Sequence, residues 1–480
     1  FHPETDHAEH VLAALENWGR QAFDTLFDAG LARDFLNDAK KDDRYDHFTL
    51  QIASDDPRIL AWPWEALEDK YAGRLAQTCQ IERRVDKVLD PADLDPRLPR
   101  DRVNILLVTA RPKEHDVRFR SISRPLVELV DKLGLPAVVT VLRPPTFDQL
   151  RRHLEAHPHT YHVLHFDGHG GYGQDPTRSG AAGASPNARH IYYAEGVLLF
   201  EGENGGEKPV TADQLRDLLR EYAVPAVVLN ACRSAMLDEN AADPFASVAA
   251  ALLKSGMRSV VAMAYSLYVS GARQFVPAFY EGLFKSGNVA QAVRAGRQQM
   301  FLEKDRTCAR GQFPLEDWLV PVVYQQNPLD FSFAAKAAKE VTARRVSNLP
   351  PEARDTENPY GFIGRDQALL ELERAMLRPP PAILIQGLGG IGKTTLARGF
   401  VDWLEATGGL GHGCMWLNFN DIRTAEFVTN RMGEAIFGGQ FGAHPMDAKL
   451  DALAQALREN RRVILWDMFE VVRGIPGTSV

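Results

Sequence analysis

Residues Tyr161–Gly171 read YHVLHFDGHGG, an apolar strand running out into a glycine turn that carries a histidine. Residues Ala226–Ser234 read AVVLNACRS, a second apolar strand that delivers a cysteine to its tip. Short continuous apolar runs of this kind mark strands buried on both faces. Such runs recur at Val103–Thr109, Ala137–Val141, Tyr161–Phe166, Val224–Leu229, Ser259–Met263 and Leu319–Val323, with amphipathic helical patterns between them. Strands alternating with helices at this spacing predict an α/β fold, a largely parallel sheet with helices on both faces. In parallel sheets ligand sites gather at the carboxyl ends of strands, which is where His169 and Cys232 fall.

Those two residue types suit one chemistry. A thiol whose pKa is near 8.5 is mostly protonated at neutral pH, and a neighbouring imidazole can take its proton and return it to a leaving amine. The glycines beside His169 would let main-chain N–H groups approach a substrate carbonyl, and the N–H groups of Gly170 and Cys232 are the expected oxyanion hole. Asp167 stands two residues before His169, so on a strand both side chains share a face. It would orient the imidazole, shape a pocket, or sit as a solvated carboxylate at the loop edge. Taken alone, Cys232 reads by default as inert core, since free cysteine is among the most buried residue types. His162 and His165 read as packing or surface residues. The histidine followed by a cysteine at strand ends favours the nucleophile over the core reading.

The 480 residues, 45% hydrophobic and 25% charged, are ordinary globular composition, with room for about three domains. We place an N-terminal α/β part at 1–100, the domain holding the His/Cys pair at 101–330, a polar, proline-bearing linker at 331–358 and a further α/β domain at 359–480. In the first part, helical spacing of apolar residues from Ala8 to Leu31 is followed by an alternating strand at His47–Ile52. Gly168–Arg189, rich in Gly, Ser, Ala and Pro, is expected to be a flexible loop and a candidate site of self-cleavage. A net charge of −8 without a dense Lys/Arg tract predicts no nucleic-acid partner. No apolar run nears the roughly 20 residues that span a bilayer. The four cysteines contain no C-x-x-C pair, which argues against a zinc site or a disulfide framework and suits a reducing cytoplasm. The chain opens on Phe1 and stops in GIPGTSV, and we read it as a piece of something longer.

Gly387–Thr394, GLGGIGKT, matches G-x-x-x-x-G-K-[ST] between an expected strand at Ala382–Gln386 and the helical TTLARGFVDWL. Gly387, Gly389, Gly390 and Gly392 would let successive N–H groups wrap phosphate oxygens at a helix N-terminus, with Thr395 on its first turn. Lys393 would neutralise the outer phosphates, and Thr394 would ligate Mg²⁺. Further strands are expected at Met415–Asn418 and Val463–Trp466, and Asp467 at the end of the latter is the second Mg²⁺ ligand. ATP or ADP with Mg²⁺ is therefore the expected ligand. Met468 has no group to orient an attacking water and Glu470 is a weak substitute, so binding is expected ahead of turnover.

HFDGHGG and VLNACRSA resemble the His-Gly and Ala-Cys-Arg motifs of the caspase-like clan, and of CHAT protease domains in particular. The resemblance runs from about Phe48 to Tyr324 and takes in PWEALED at Pro63–Asp69, SGMRSVVAMAYSLY at Ser255–Tyr268, FVPAFYEGLFKSG, VAQAVRAGRQQ and FPLEDWLVPVVY. It implies a caspase-like cysteine endopeptidase with His169 and Cys232 as its dyad and a protein as substrate. Asn230 stands where metacaspase-like relatives carry an acid that binds basic side chains, which leaves the preferred side chain open. GFIGRDQ, with Gly364 and Arg365, resembles the entry motif of STAND signal-transduction ATPases, where it helps hold the base and ribose. That resemblance implies a nucleotide-dependent homo-oligomer in the full-length protein, with the N-terminal domain as effector, and an association with bacterial defence or regulated cell death. Two other readings stay open: an ATP-switched adaptor whose protease-like domain is inactive, and a plain ATPase with an N-terminal scaffold.

Overall fold

The computed structural model describes the chain apart from residues 1–4, 29, 41–44, 46–47, 87–92, 114–122, 134, 172–196, 204, 233–247, 255, 265–266, 268, 309–310, 333–346, 348, 355–361, 363, 378–381, 421–423 and 473–480. Two compact units emerge, Phe1–Arg344 and Arg345–Val480.

The first unit contains strands β1 (Thr49–Ala53), β2 (Glu68–Asp69), β3 (Gly73–Arg74), β4 (Gln80–Arg84), β5 (Val103–Thr109), β6 (Ala137–Val141), β7 (Val163–Gly171), β8 (Val197–Glu201), β9 (Glu207–Thr211), β10 (Ala226–Cys232), β11 (Ser259–Met263), β12 (Asp305–Cys308), β13 (Gly311–Pro314) and β14 (Pro321–Gln325). The pairs β2–β3 and β12–β13 are separate hairpins, and the other ten form one sheet in the order β1-β4-β14-β11-β10-β7-β5-β6, with β8 and β9 added beside β7. The centre, β11-β10-β7-β5-β6, is parallel throughout. β14 runs antiparallel to β11 and parallel to β4. The expected α/β class with a largely parallel sheet is what this unit adopts.

Every residue of β5 and of β11 is buried, as continuous apolar runs require. One face of the sheet offers Leu106, Val108, Leu164, Phe166, Val227 and Leu229 to Leu150 and Leu154 of the helix Phe147–Ala156, Leu215 and Leu219 of the helix Ala212–Glu221, and Leu252 of the helix Val248–Lys254. Thr146 caps the first of these helices by accepting from the Gln149 N–H, and Thr211 opens the second with a full capping box. The other face packs the helix Val269–Ser286, whose Tyr280 stacks on His165.

The helical spacing read over Ala8–Leu31 belongs to the helix Thr5–Phe27, and a second helix, Leu31–Ala39, follows Gly30 with its φ of 71°. β8 and β9 were not anticipated. Most of the Gly/Ser-rich segment, 172–189, lies outside the described residues.

The second unit holds β15 (Cys414–Asn418) and β16 (Val463–Asp467), paired in parallel. Its core joins Leu369, Phe400, Val401, Leu404 and Trp416. Leu349 and Ala353, inside the expected linker, are 2% and 1% exposed and belong to that core; much of the remaining linker lies outside the described residues. The strand expected at Ala382–Gln386 does not form. Strand structure needs a partner's hydrogen bonds, and among the described residues β16 pairs only with β15 and no ladder reaches Ala382–Gln386, which leaves Leu384 82% exposed.

Candidate active site

β7 alternates its side chains. Leu164 and Phe166 enter the core on one face, while His165, Asp167 and His169 stand in a row on the other. Between the last two, Gly168 leaves no choice of residue: a Cβ there would lie 2.8 Å from the Phe166 ring and 3.3 Å from the Ala110 carbonyl oxygen.

The register of β7 with β10 is continuous to the tip. Val228 stands opposite His165, Asn230 opposite Asp167, and Cys232 opposite His169. The two residues expected to do the chemistry, 63 positions apart, are thus direct cross-strand neighbours at the carboxyl ends of adjacent parallel strands. The backbone of Cys232 is described and its side chain is not. His169 is half-buried, and Gly170 pairs with Leu198 of β8.

The other histidines of the stretch are committed to structure. His162 accepts the Asn104 N–H on Nδ1 at 3.1 Å, so Nε2 carries the proton that it shares with the Pro99 carbonyl at 2.9 Å. His165 places Nδ1 2.9 Å from the Tyr280 hydroxyl. Burial pushes both imidazoles down to about 4, so both are neutral at pH 7. Two of the other thiols are equally unsuited to attack, since burial pushes Cys79 and Cys414 up to about 12.

Asp167 is 2% exposed, which sets aside the solvated-carboxylate reading. Its Oδ2 accepts from Arg111 at 2.7 Å and its Oδ1 from the Asn230 amide at 3.0 Å. The two candidate pocket residues are therefore bonded to each other. Arg111, itself 2% exposed, also donates to the main-chain oxygens of Asp167 at 2.7 Å and Ala110 at 2.9 Å, while its own N–H donates to Glu201 of β8 at 3.0 Å. Sequence reading missed Arg111 and Glu201. The available signal was a lone arginine directly after the apolar run VNILLVTA, where a charge so close to a central strand needs a buried partner.

In the second unit, Gly387–Gly392 forms an exposed loop at the start of the helix Lys393–Ala406, with Gly390 at φ 77° and Gly392 at φ 91°. A Cβ at either position would be strained. Gly392 gives that helix no side-chain cap. Lys393 Nζ lies over the loop, 3.0 Å from the Gly387 carbonyl oxygen and 3.3 Å from that of Leu388. Thr394 Oγ1 donates to Asp467 Oδ1 at 2.9 Å, which joins the two oxygens expected to hold Mg²⁺. Arg365, at φ 59°, reaches the Ile391 carbonyl at 2.9 Å, so it and Gly364 lie by the loop's far end. Thr395 is exposed on the first helical turn, Met468 follows Asp467 at φ 60°, and Glu470 is exposed. Among the described residues no group of three or more His, Cys, Asp or Glu could hold a metal ion, and no helix is long and apolar enough to cross a membrane.

Among solved structures, the chain is similar to the Saccharomyces cerevisiae separase–securin complex, with 13% identity over 59% of this chain and a TM-score of 0.33, and it spans only 16% of that chain. It is also similar to the complex of Porphyromonas gingivalis RgpB pro- and mature domains, with 11% identity over 66% of this chain and 76% of that one and a TM-score of 0.36. No curated protein matches it. The family model described as CHAT domain matches residues 16–348, more than half of the sequence and the whole of the sheet that carries His169 and Cys232, and the chain belongs to the CHAT domain family.

Proposed function

We propose that the first unit is a cysteine endopeptidase acting on a protein partner, with Cys232 as nucleophile and His169 as its general base and acid. The observation that carries this reading is the cross-strand register of His169 with Cys232 at the open ends of β7 and β10. His169 takes the thiol proton, the sulfur attacks the scissile carbonyl, the developing oxyanion meets the N–H groups of Gly170 and Cys232, and the proton passes to the leaving amine. Hydrolysis of the acyl-enzyme then restores the thiol. The other histidines of the stretch, neutral and bonded within the sheet, leave this role to His169. The test is labelling by an electrophilic peptide probe. Modification confined to Cys232 and lost in His169→Ala supports the dyad, and cleavage of no peptide or protein by the activated full-length chain in a broad screen would sink the endopeptidase.

The same reading gives the second unit a nucleotide switch of the STAND type that assembles the full-length protein. Its residues fit the group: glycines at positive φ, an uncapped helix start, a lysine over the loop, and a threonine and an aspartate already 2.9 Å apart. Bound nucleotide would lie along Gly387–Thr395 toward Gly364 and Arg365, with Mg²⁺ on Thr394 and Asp467, and would supply the free-energy difference between assembly states. Lys393→Ala is expected to weaken ATP binding at least tenfold by calorimetry, and unchanged affinity would remove the switch.

A further inference from the structure

We infer that Arg111 and Asp167 are positioning residues, a buried clamp that fixes the tip of β7 so that His169 meets Cys232; this rests on the dyad proposed above. The reason lies along one edge of β7. Up to Asp167 that edge pairs with β5, ending in the register Thr109 to Asp167 and in the Ala110 N–H that donates to the Asp167 carbonyl at 3.0 Å. From His169 onward the same edge pairs with β8, which runs the other way. The handover from a parallel to an antiparallel partner therefore falls between Asp167 and His169, one residue before the imidazole.

A strand changing partners has a weak point in its ladder, and side-chain bonds must hold what main-chain bonds leave. Arg111 sits at the end of β5 and ties all three strands: the carboxylate and carbonyl of Asp167 on β7, its own strand end at Ala110, and Glu201 on β8 through its N–H. Asn230 adds the fourth strand by donating to the remaining carboxylate oxygen from β10, two residues before Cys232. A planar guanidinium can address a carboxylate and two carbonyl oxygens at once, which a lysine ammonium on its flexible stem does less well. A buried ion pair is often no better for stability than an apolar pair of similar volume. Its place here, at the strand junction beneath the dyad, matches a demand for one geometry, since about 1 Å of misplacement can cost on the order of a hundredfold in rate.

The experiment measures kinact and KI of an electrophilic peptide probe for the full chain, together with melting temperature, in wild type, Arg111→Lys, Asp167→Asn and the double variant Arg111→Met/Asp167→Asn. The double variant removes both charges at once and so avoids a lone buried ion. Expected is a kinact at least about tenfold lower in all three with KI within about twofold, and a double variant that melts near wild type. A folded double variant with wild-type kinact overturns the clamp, and so does a loss that merely follows the folded fraction. Wild type that fails to label at Cys232 overturns the dyad itself and the clamp with it, so the two failures are told apart.

Discussion

Two strands in this molecule end in candidate sites, and they are built differently. β7 lies between β5 and β10 with Leu164 and Phe166 almost fully covered, and its tip residue stands opposite its partner in a continuous ladder. Among the described residues β16 pairs on one edge only, its Trp466 is 51% exposed, and the glycine loop that would share its ligand leaves from Ala382–Gln386, a stretch that joins no ladder there. A sequence can announce both strands equally well, yet how tightly a tip is held depends on what pairs with the strand's edges. β7 is held on both edges, by β5 and by β10. The second unit's candidate site is held instead by single hydrogen bonds: Thr394 to Asp467, Lys393 to its own loop, and Met468 N–H to Asp467 Oδ1 at 3.1 Å.

The largest expected effect falls at the tips of β7 and β10. Cys232→Ala should abolish probe labelling, and His169→Ala should slow it by on the order of a thousandfold, with both proteins as stable as wild type. Labelling that survives at another cysteine would break the contrast at its source. Next comes the strand itself. Phe166→Ala empties a site in the core and should cost about 3–5 kcal/mol in denaturant unfolding. A loss below about 1 kcal/mol would mean that β7 is no better supported than β16.

The two buried histidines sharpen the comparison by pH. His162 and His165 hold a proton near pH 6.5 when unfolded but only near 4 when folded, so between those values the unfolded chain binds more protons and stability falls as the pH drops from 6.5 to 4. Each contributes at most on the order of 3 kcal/mol to that loss. His165→Gln should flatten the fall between pH 7 and pH 5 in urea unfolding of the first unit. An equally steep fall in the variant would show that His165 is not held neutral by the sheet.

Much of this was legible in the sequence because it is local. β5, β6 and β11 begin and end where their apolar runs do, and His169 and Cys232 stand out as polar residues at the ends of such runs. β8 was hidden by its neighbourhood: VLLFE is as apolar as any core strand but follows a Gly/Ser-rich segment, and its partner β9, EKPVT, has hardly any strand pattern. Arg111 after its apolar run signals the need for a buried partner, but that the partner is Asp167 depends on β5 and β7 being adjacent, which no local pattern shows. Ala382–Gln386 fails in the opposite sense. AILIQ has a strand's composition, but a strand is a relation to a partner, and composition carries no information about whether the partner is there.

That last case yields the smallest expected effect and a direct way to break the comparison. Leu384 is 82% exposed, whereas Leu106 in β5 is fully buried. Burying a leucine side chain is worth about 1.5–3 kcal/mol, and placing a hydroxyl in a packed core adds the cost of an unpaired polar group. Leu106→Ser should therefore be severely destabilising, while Leu384→Ser removes apolar surface that already faces water and should stay within about 0.5 kcal/mol of wild type. Both substitutions make the same change of side chain, so the difference between them measures what the buried setting adds, lost apolar burial together with an unpaired hydroxyl. If Leu384→Ser lowers the stability of the second unit by 2 kcal/mol or more, the stretch before the glycine loop is paired and packed in solution, the open edge of β16 is closed, and the two tips stand on equally rigid sheets.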